Sequence, residues 1–189
     1  MAGQVHKYNL SGFPKVVRLG DGTRATLRPM TSADGPQLLE FFRRVPQEDR
    51  RYLKDDVTSP ELIARWTREL DYARVLPLLC EIGGKVVADS TLHLSREPHR
   101  PHAAEVRIVV DPAVRNKGLA REMLQELIAL ARQINLEHVL FELEPSAEAA
   151  AVRQAERLGF VGTALFFRQK RDQLGKPMDV LVLELRLRD

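Results

Sequence analysis

Arg115 and Lys117 stand in the run Val109-Val110-Asp111-Pro112-Ala113-Val114-Arg115-Asn116-Lys117-Gly118-Leu119-Ala120, where an apolar, strand-like stretch gives way to a short loop and then to a long amphipathic helix. Residue types in that order make an anion site. The first amides of a helix have no partners within it, and the macrodipole adds about half a positive charge, so a pyrophosphate can take those hydrogen bonds at close range. Gly118 would let a ligand approach the backbone, while Arg115 offers a fixed fork of donors and Lys117 a point charge. The chain holds neither Gly-x-x-x-x-Gly-Lys-Ser/Thr nor Gly-x-Gly-x-x-Gly after a strand, which removes the P-loop and the Rossmann fingerprint as explanations.

The other reactive side chains read differently. Cys80 is the single cysteine and lies in the strand-like run Leu78-Leu79-Cys80-Glu81-Ile82, so it reads as an inert buried thiol rather than a nucleophile. His93 alternates with Leu92 and Leu94, and His99 and His102 flank a proline loop; all three read as structural or solvated. With neither a Cys/His cluster nor paired carboxylates at ligand spacing, no metal site is expected. Trp66 sits on an apolar helical face and reads as core.

The elements that position these residues follow from pattern. Asp21-Gly22 marks a turn before a strand over Thr23 to Arg28. One helix runs from a Thr31 or Ser32 cap through Leu38, Leu39, Phe42 and Val45. A second starts at Ser59-Pro60 and aligns Leu62, Ile63, Trp66 and Leu70. The stretch Pro46 to Asp56 between them is polar. Val75 to Ile82 and Lys85 to Leu94 read as a hairpin about Gly83-Gly84. Ala104 to Asp111 is a strand with Val106, Ile108 and Val110 on one face and Glu105 and Arg107 on the other. From Gly118 a helix stacks Ala120, Met123, Leu124, Leu127, Ile128, Ala131 and Ile134 in one stripe. His138 to Leu143 is a buried strand, Ser146 to Leu158 a helix ended by Gly159, and Phe160 to Arg168 and Met178 to Leu187 are strands. The order is β, α, α, β, β, β, α, β, α, β, β.

At 189 residues the chain suits one domain with its own core. Lys plus Arg exceed Asp plus Glu by 29 to 26, too small an excess to demand nucleic acid or a membrane surface. No signal-peptide pattern and no apolar run of spanning length occur, so a cytoplasmic location is the expectation, with no membrane and no nucleic acid among the partners. Residues 1 to 20, Met1 to Gly20, are expected as a loosely ordered leader ahead of a single domain over 21–189.

Arg115-Asn116-Lys117-Gly118-Leu119-Ala120 matches the Arg/Gln-x-x-Gly-x-Gly/Ala signature of the GNAT acyltransferases, preceded by Val-Val-Asp-Pro, and the element order from Thr23 to Leu187 resembles the whole GNAT fold, including the Leu158-Gly159-Phe160 corner. The resemblance implies an α/β fold, with a mixed, mainly antiparallel twisted sheet of about seven strands flanked by about four helices. It implies acetyl-CoA, or a related acyl-CoA, as co-substrate and an amine, small molecule or protein lysine, as acceptor. Carried over by position, Ile108, Val109 and Val110 hold the pantetheine arm and acyl carbonyl. Arg115, Asn116, Lys117, Gly118, Leu119, Ala120 and Arg121 bind the pyrophosphate, and Phe41 to Asp71 forms much of the acceptor wall. A homodimer through the last strand is left open.

A lysine-like amine near pKa 10.4 is only about one part in 2500 neutral at pH 7, an obstacle of roughly 4.6 kcal/mol that a general base lowers. Glu105 is the candidate, because it lies ten residues before Arg115, where several enzymes that resemble this one place a glutamate base. The plain alternative is an exposed strand residue paired with Arg107 or with a neighbouring strand. The tyrosine that many family members carry to protonate the leaving thiolate is here Ala155, and an asparagine often found earlier is replaced by Glu148. Some groups that resemble bacterial protein-lysine acetyltransferases lack the tyrosine too, and Arg50 to Tyr52, Glu105 and Ala155 give the chain a likeness to them. The missing tyrosine keeps a noncatalytic acyl-CoA-binding or sensing domain as the alternative.

Overall fold

The computed structural model describes residues 8–188. The first seven residues of the expected leader, and Asp189, lie outside the described residues. One sheet of eight strands carries the molecule: β1 (Lys15–Arg18), β2 (Arg24–Pro29), β3 (Val75–Ile82), β4 (Lys85–Leu94), β5 (Ala103–Val110), β6 (His138–Leu143), β7 (Val161–Arg171) and β8 (Pro177–Arg186). Its spatial order is β1-β2-β3-β4-β5-β6-β8-β7. Every neighbouring pair is antiparallel except β5 and β6. That parallel pair requires a crossover, which is the long helix between them. The helices are α1 (Gly35–Arg44), α2 (Gln47–Arg50), α3 (Pro60–Arg68), α4 (Leu119–Gln133) and α5 (Ala149–Arg157).

Among the described residues the counts exceed the expected numbers, about seven strands and about four helices, by one each. β1 falls inside the stretch expected as a leader. Its polar composition hides two apolar anchors, Val17 and Leu19, which are buried against Ala25, Leu27 and Met123. The turn at Asp21-Gly22 therefore joins two strands rather than preceding a first one. The polar stretch Pro46 to Asp56 includes the single turn of α2, which buries no residue and so leaves no periodic signal. The last helix starts at Ala149 instead of Ser146, with Glu148 at its N-cap. Elsewhere the expected hairpin holds, and Gly83 and Gly84 both take positive φ, 58° and 76°, as a two-residue turn matching strand twist demands.

Alternation along β3, β4 and β5 sends side chains to two layers. On one face Leu76, Leu78, Leu92, Ala104 and Val106 meet the stripe of α4 and residues of β6, β8 and α5. On the other, Leu79 and Val109 meet Leu38, Phe41, Phe42 and Ile63 from α1 and α3, with Phe42 and Trp66 edge to face at 6.4 Å. Trp66 thus packs with the core cluster, half-buried, and also lines a cavity described below. α3 is started by Ser59, whose Oγ accepts the Leu62 N–H at 3.2 Å, with Pro60 as its first residue. Ser59→Ala should lower stability by about 1 kcal/mol in urea denaturation, the usual worth of such a cap. Cys80 is fully buried, and burial pushes its thiol up to about 12, so it stays protonated and unreactive near neutral pH. No helix among the described residues is long and apolar enough to cross a membrane.

Candidate active site

Two features meet at the carboxyl end of β5. The first is a parting of strands. β5 pairs with β4 along its length, down to Ala88 opposite Val110, but its pairing with β6 runs only from Ala103 opposite His138 to Val106 opposite Phe141. Among the described residues, Arg107, Ile108, Val109 and Val110 therefore have no strand partner on the β6 side. A peptide-like chain laid in that gap can use the strand edge as an added strand would.

The second feature is the loop that follows. Asp111 accepts the Ala113 N–H at 3.0 Å and Arg44 Nε at 3.1 Å, which anchors a short turn over Pro112–Val114. Asn116 and Gly118 then take positive φ, 61° and 86°. The Lys117 carbonyl accepts the Gly20 N–H at 2.9 Å, and α4 begins. Among the described residues, the amides of Asn116, Lys117, Gly118, Leu119, Ala120 and Arg121 donate to no protein acceptor. Six successive free amides at the start of a 15-residue helix form a concentrated anion-binding surface. A Cβ built on Gly118 would meet no atom within 4 Å. The left-handed backbone, rather than crowding by protein, is therefore what requires glycine there.

The two cations expected at the phosphates are already paired. Lys117 Nζ lies 2.8 Å from Asp21, and its ammonium holds that carboxyl well below the usual carboxylate range. Arg115 reaches Asp49 at 2.9 Å and the Val110 carbonyl at 3.1 Å. All four charged partners are partly exposed, so these pairs are weak and exchangeable.

Beside β5, on the face covered by α1 and α3, lies a cavity of about 320 Å³. Met30, Leu38, Phe42, Trp66, Leu70 and Val109 give it apolar walls, and Lys54, His93 and Arg107 reach it as well. Glu105 is not among the lining residues. Its Oε1 accepts Lys54 Nζ at 2.7 Å and Arg107 Nε at 2.9 Å. Burial pushes the Glu105 carboxyl up, but those two hydrogen-bonded cations outweigh it and hold the group below its ordinary value. Lys54 also bridges to Glu142 at 3.1 Å, which Lys170 meets at 2.6 Å. His93 is neutral near pH 7, since burial and the nearby Arg107 push it down to about 4, and its Nε2 lies 2.8 Å from Thr91 Oγ1.

Asp89, which the pattern reading passes over, does line the cavity. It is 9% exposed, its Oδ1 is buried without a hydrogen-bond partner, and burial pushes its carboxyl up to about 7. A signal was present in the sequence: an acid closing the apolar run Val86-Val87-Ala88 is anomalous in a strand that central.

The wall of the cavity is fastened from far along the chain. Arg51 Nε donates to Asp172 at 2.7 Å, and Gln173 donates through its amide nitrogen to the Asp55 carbonyl at 2.6 Å and through its backbone to Arg51 at 2.9 Å. The turn between β7 and β8 thereby holds the segment between α2 and α3. On α5, Ala155 is fully buried in the core, and Glu148, pushed up to about 7 by burial, accepts the Glu144 N–H at 2.7 Å.

A strand that parts from its parallel neighbour, a helix start with free amides and a cavity on the adjacent face define an acyl-transfer fold. The family model described as acetyltransferase (GNAT) family matches residues 38–160, and the chain belongs to that family. It is an N-acetyltransferase with acetyl-CoA as acyl donor and an amine as acceptor. Among solved structures it is similar to the GNAT domain of PAT from S. lividans, at 24% identity over 95% of this chain and 99% of that one, with a TM-score of 0.77. It is also similar to yncA from Salmonella typhimurium, a putative acetyltransferase solved with its cofactor acetyl-CoA, at 23% identity over 87% and 95% with a TM-score of 0.75. The ribosomal-protein-S5-alanine acetyltransferase from Vibrio fischeri matches at 18% identity over 87% and 94%, with a TM-score of 0.77. At these identities the likenesses speak for the fold.

Proposed function

We propose that acetyl-CoA lays its pyrophosphate on the amides of Asn116 to Arg121 and its pantetheine arm along Ile108, Val109 and Val110, and that a primary amine on an apolar stem enters the 320 Å³ cavity to attack the thioester. The observation that carries this is the run of six free amides next to an unpaired strand edge. Arg115 and Lys117 exchange their exposed carboxylate partners for phosphate oxygens when the donor arrives, a trade of one weak pair for a charge-assisted contact to a doubly charged group. A cavity of that size suits a small amine or the side chain of one protein lysine, whose four-carbon stem needs apolar walls.

The test is calorimetric titration with acetyl-CoA, followed by measurement of free thiol released in the presence of a panel of small amines and lysine-containing peptides. Micromolar binding with amine-dependent thiol release is expected. Binding without release from any amine would favour the noncatalytic alternative, and no binding would remove the proposal.

In this arrangement Glu105 draws Lys54 and Arg107 together at the cavity wall, since both donate to its Oε1. Glu105→Gln should raise the KM for the amine several-fold with little change in kcat or in the Kd for acetyl-CoA. Were Glu105 the general base expected from the sequence, kcat would fall tenfold or more at unchanged acetyl-CoA affinity.

A further inference from the structure

We propose that Asp89 is the catalytic carboxylate that receives the acceptor's ammonium in the cavity and removes its proton before attack, an inference that rests on the acetyl-transfer reading above. Its place in the fold is specific. Asp89 lies directly opposite Val109 in the β4–β5 register, and directly opposed side chains on one face of an antiparallel pair stand roughly 4.5–5.5 Å apart at Cβ. Both line the cavity. Val109 is one of the residues whose backbone edge is free towards the gap, so the carboxylate flanks the position proposed for the acyl carbonyl.

The second observation is the unmet need of the group itself. A buried carboxylate oxygen without a partner costs several kcal/mol in general, and a catalytic role is one reason for a fold to keep it. Among the described residues, Asp89 is the one carboxylate with a buried oxygen that has no hydrogen-bond partner. Glu105 is held by Lys54 and Arg107, and Glu142 by Lys54 and Lys170. His93 stands opposite Glu105, four residues from Asp89, with its Nε2 against Thr91. The raised position of the Asp89 carboxyl supports the role, because a base serves best when it titrates near the working pH.

The step balances without a co-reactant. The Asp89 carboxylate takes one proton from R–NH3⁺ and leaves R–NH2. The nitrogen lone pair forms the C–N bond at the thioester carbon, and the C–S bond breaks with its electron pair on sulfur. The second nitrogen proton goes to the thiolate, giving the amide and the CoA thiol, and Asp89 returns its proton to water once the product has left the cavity.

Asp89→Asn, which keeps the shape and removes the charge, should lower kcat at least about a hundredfold while the Kd for acetyl-CoA stays within twofold. Asp89→Ser serves as a second variant, and retained acetyl-CoA affinity identifies the folded one. Turnover within threefold of wild type in either folded variant would overturn the role of Asp89 alone. Wild-type protein that binds acetyl-CoA yet consumes none with any amine would overturn the acetyl-transfer reading and this role with it.

Discussion

Gly118→Val should raise the Kd for acetyl-CoA at least about a hundredfold in calorimetric titration, with a loss of only a few degrees in melting temperature. At φ 86° an L-residue pays roughly 1–2 kcal/mol, and a β-branched one pays more, so the backbone relaxes towards negative φ and turns the neighbouring amides away from their common side. Hydrogen bonds to a charged acceptor are worth about 1.5–3 kcal/mol each, so losing two of the six costs roughly two to four orders of magnitude in affinity. The fold itself has less at stake. A side chain at this position would meet no protein atom within 4 Å, and α4 is held by Leu119, Met123, Leu124 and Leu127, all buried. Gly118→Ala should fall between the two. Affinity within threefold of wild type in the valine variant would show that the phosphates lie elsewhere.

The second large effect concerns stability. Burial pushes the Asp89 carboxyl from its ordinary value up to about 7, so the folded protein keeps a proton there that the unfolded chain has already released. Below about pH 4 both states are protonated and the group costs nothing. Between there and pH 7 the unfolded state binds fewer protons, so stability falls by about 1.4 kcal/mol per unit, to a total of about 4 kcal/mol, and is flat above. Asp89→Asn removes this titration while other groups titrate alike in both proteins. The variant should therefore gain stability relative to wild type as pH rises from 5 to 8, by roughly 5–10 °C in melting temperature at the upper end. Parallel pH curves for the two proteins would mean that Asp89 is solvated. A variant that is more stable and less active is the pattern of a group kept for function at a cost to the fold.

Much of this molecule was legible in its residues, for a physical reason that differs by element. The helix α4 announced itself because its burial demands a stripe at helical spacing, and the hairpin at Gly83-Gly84 because positive φ at two successive positions admits few residues. The loop from Arg115 to Arg121 stood out because the features from which an anion site is proposed there, a glycine and a helix start, are both local. β1 and α2 were hidden, the first because Val17 alone of its four residues is buried and the second because it buries nothing.

What the residues alone made legible is thus the family resemblance and the donor it implies, since the run Arg115 to Ala120 that carries it is local. Tertiary structure decided which carboxylate is paired and which is buried with an oxygen unpartnered. Glu105 meets Lys54 from 51 residues away and is neutralised by it, whereas Asp89 is buried between strand and helices with one oxygen unpaired. Pairing, burial and the cavity wall fastened by Asp172 and Gln173 arise from contacts between distant segments, and spacing along the chain carries no record of them.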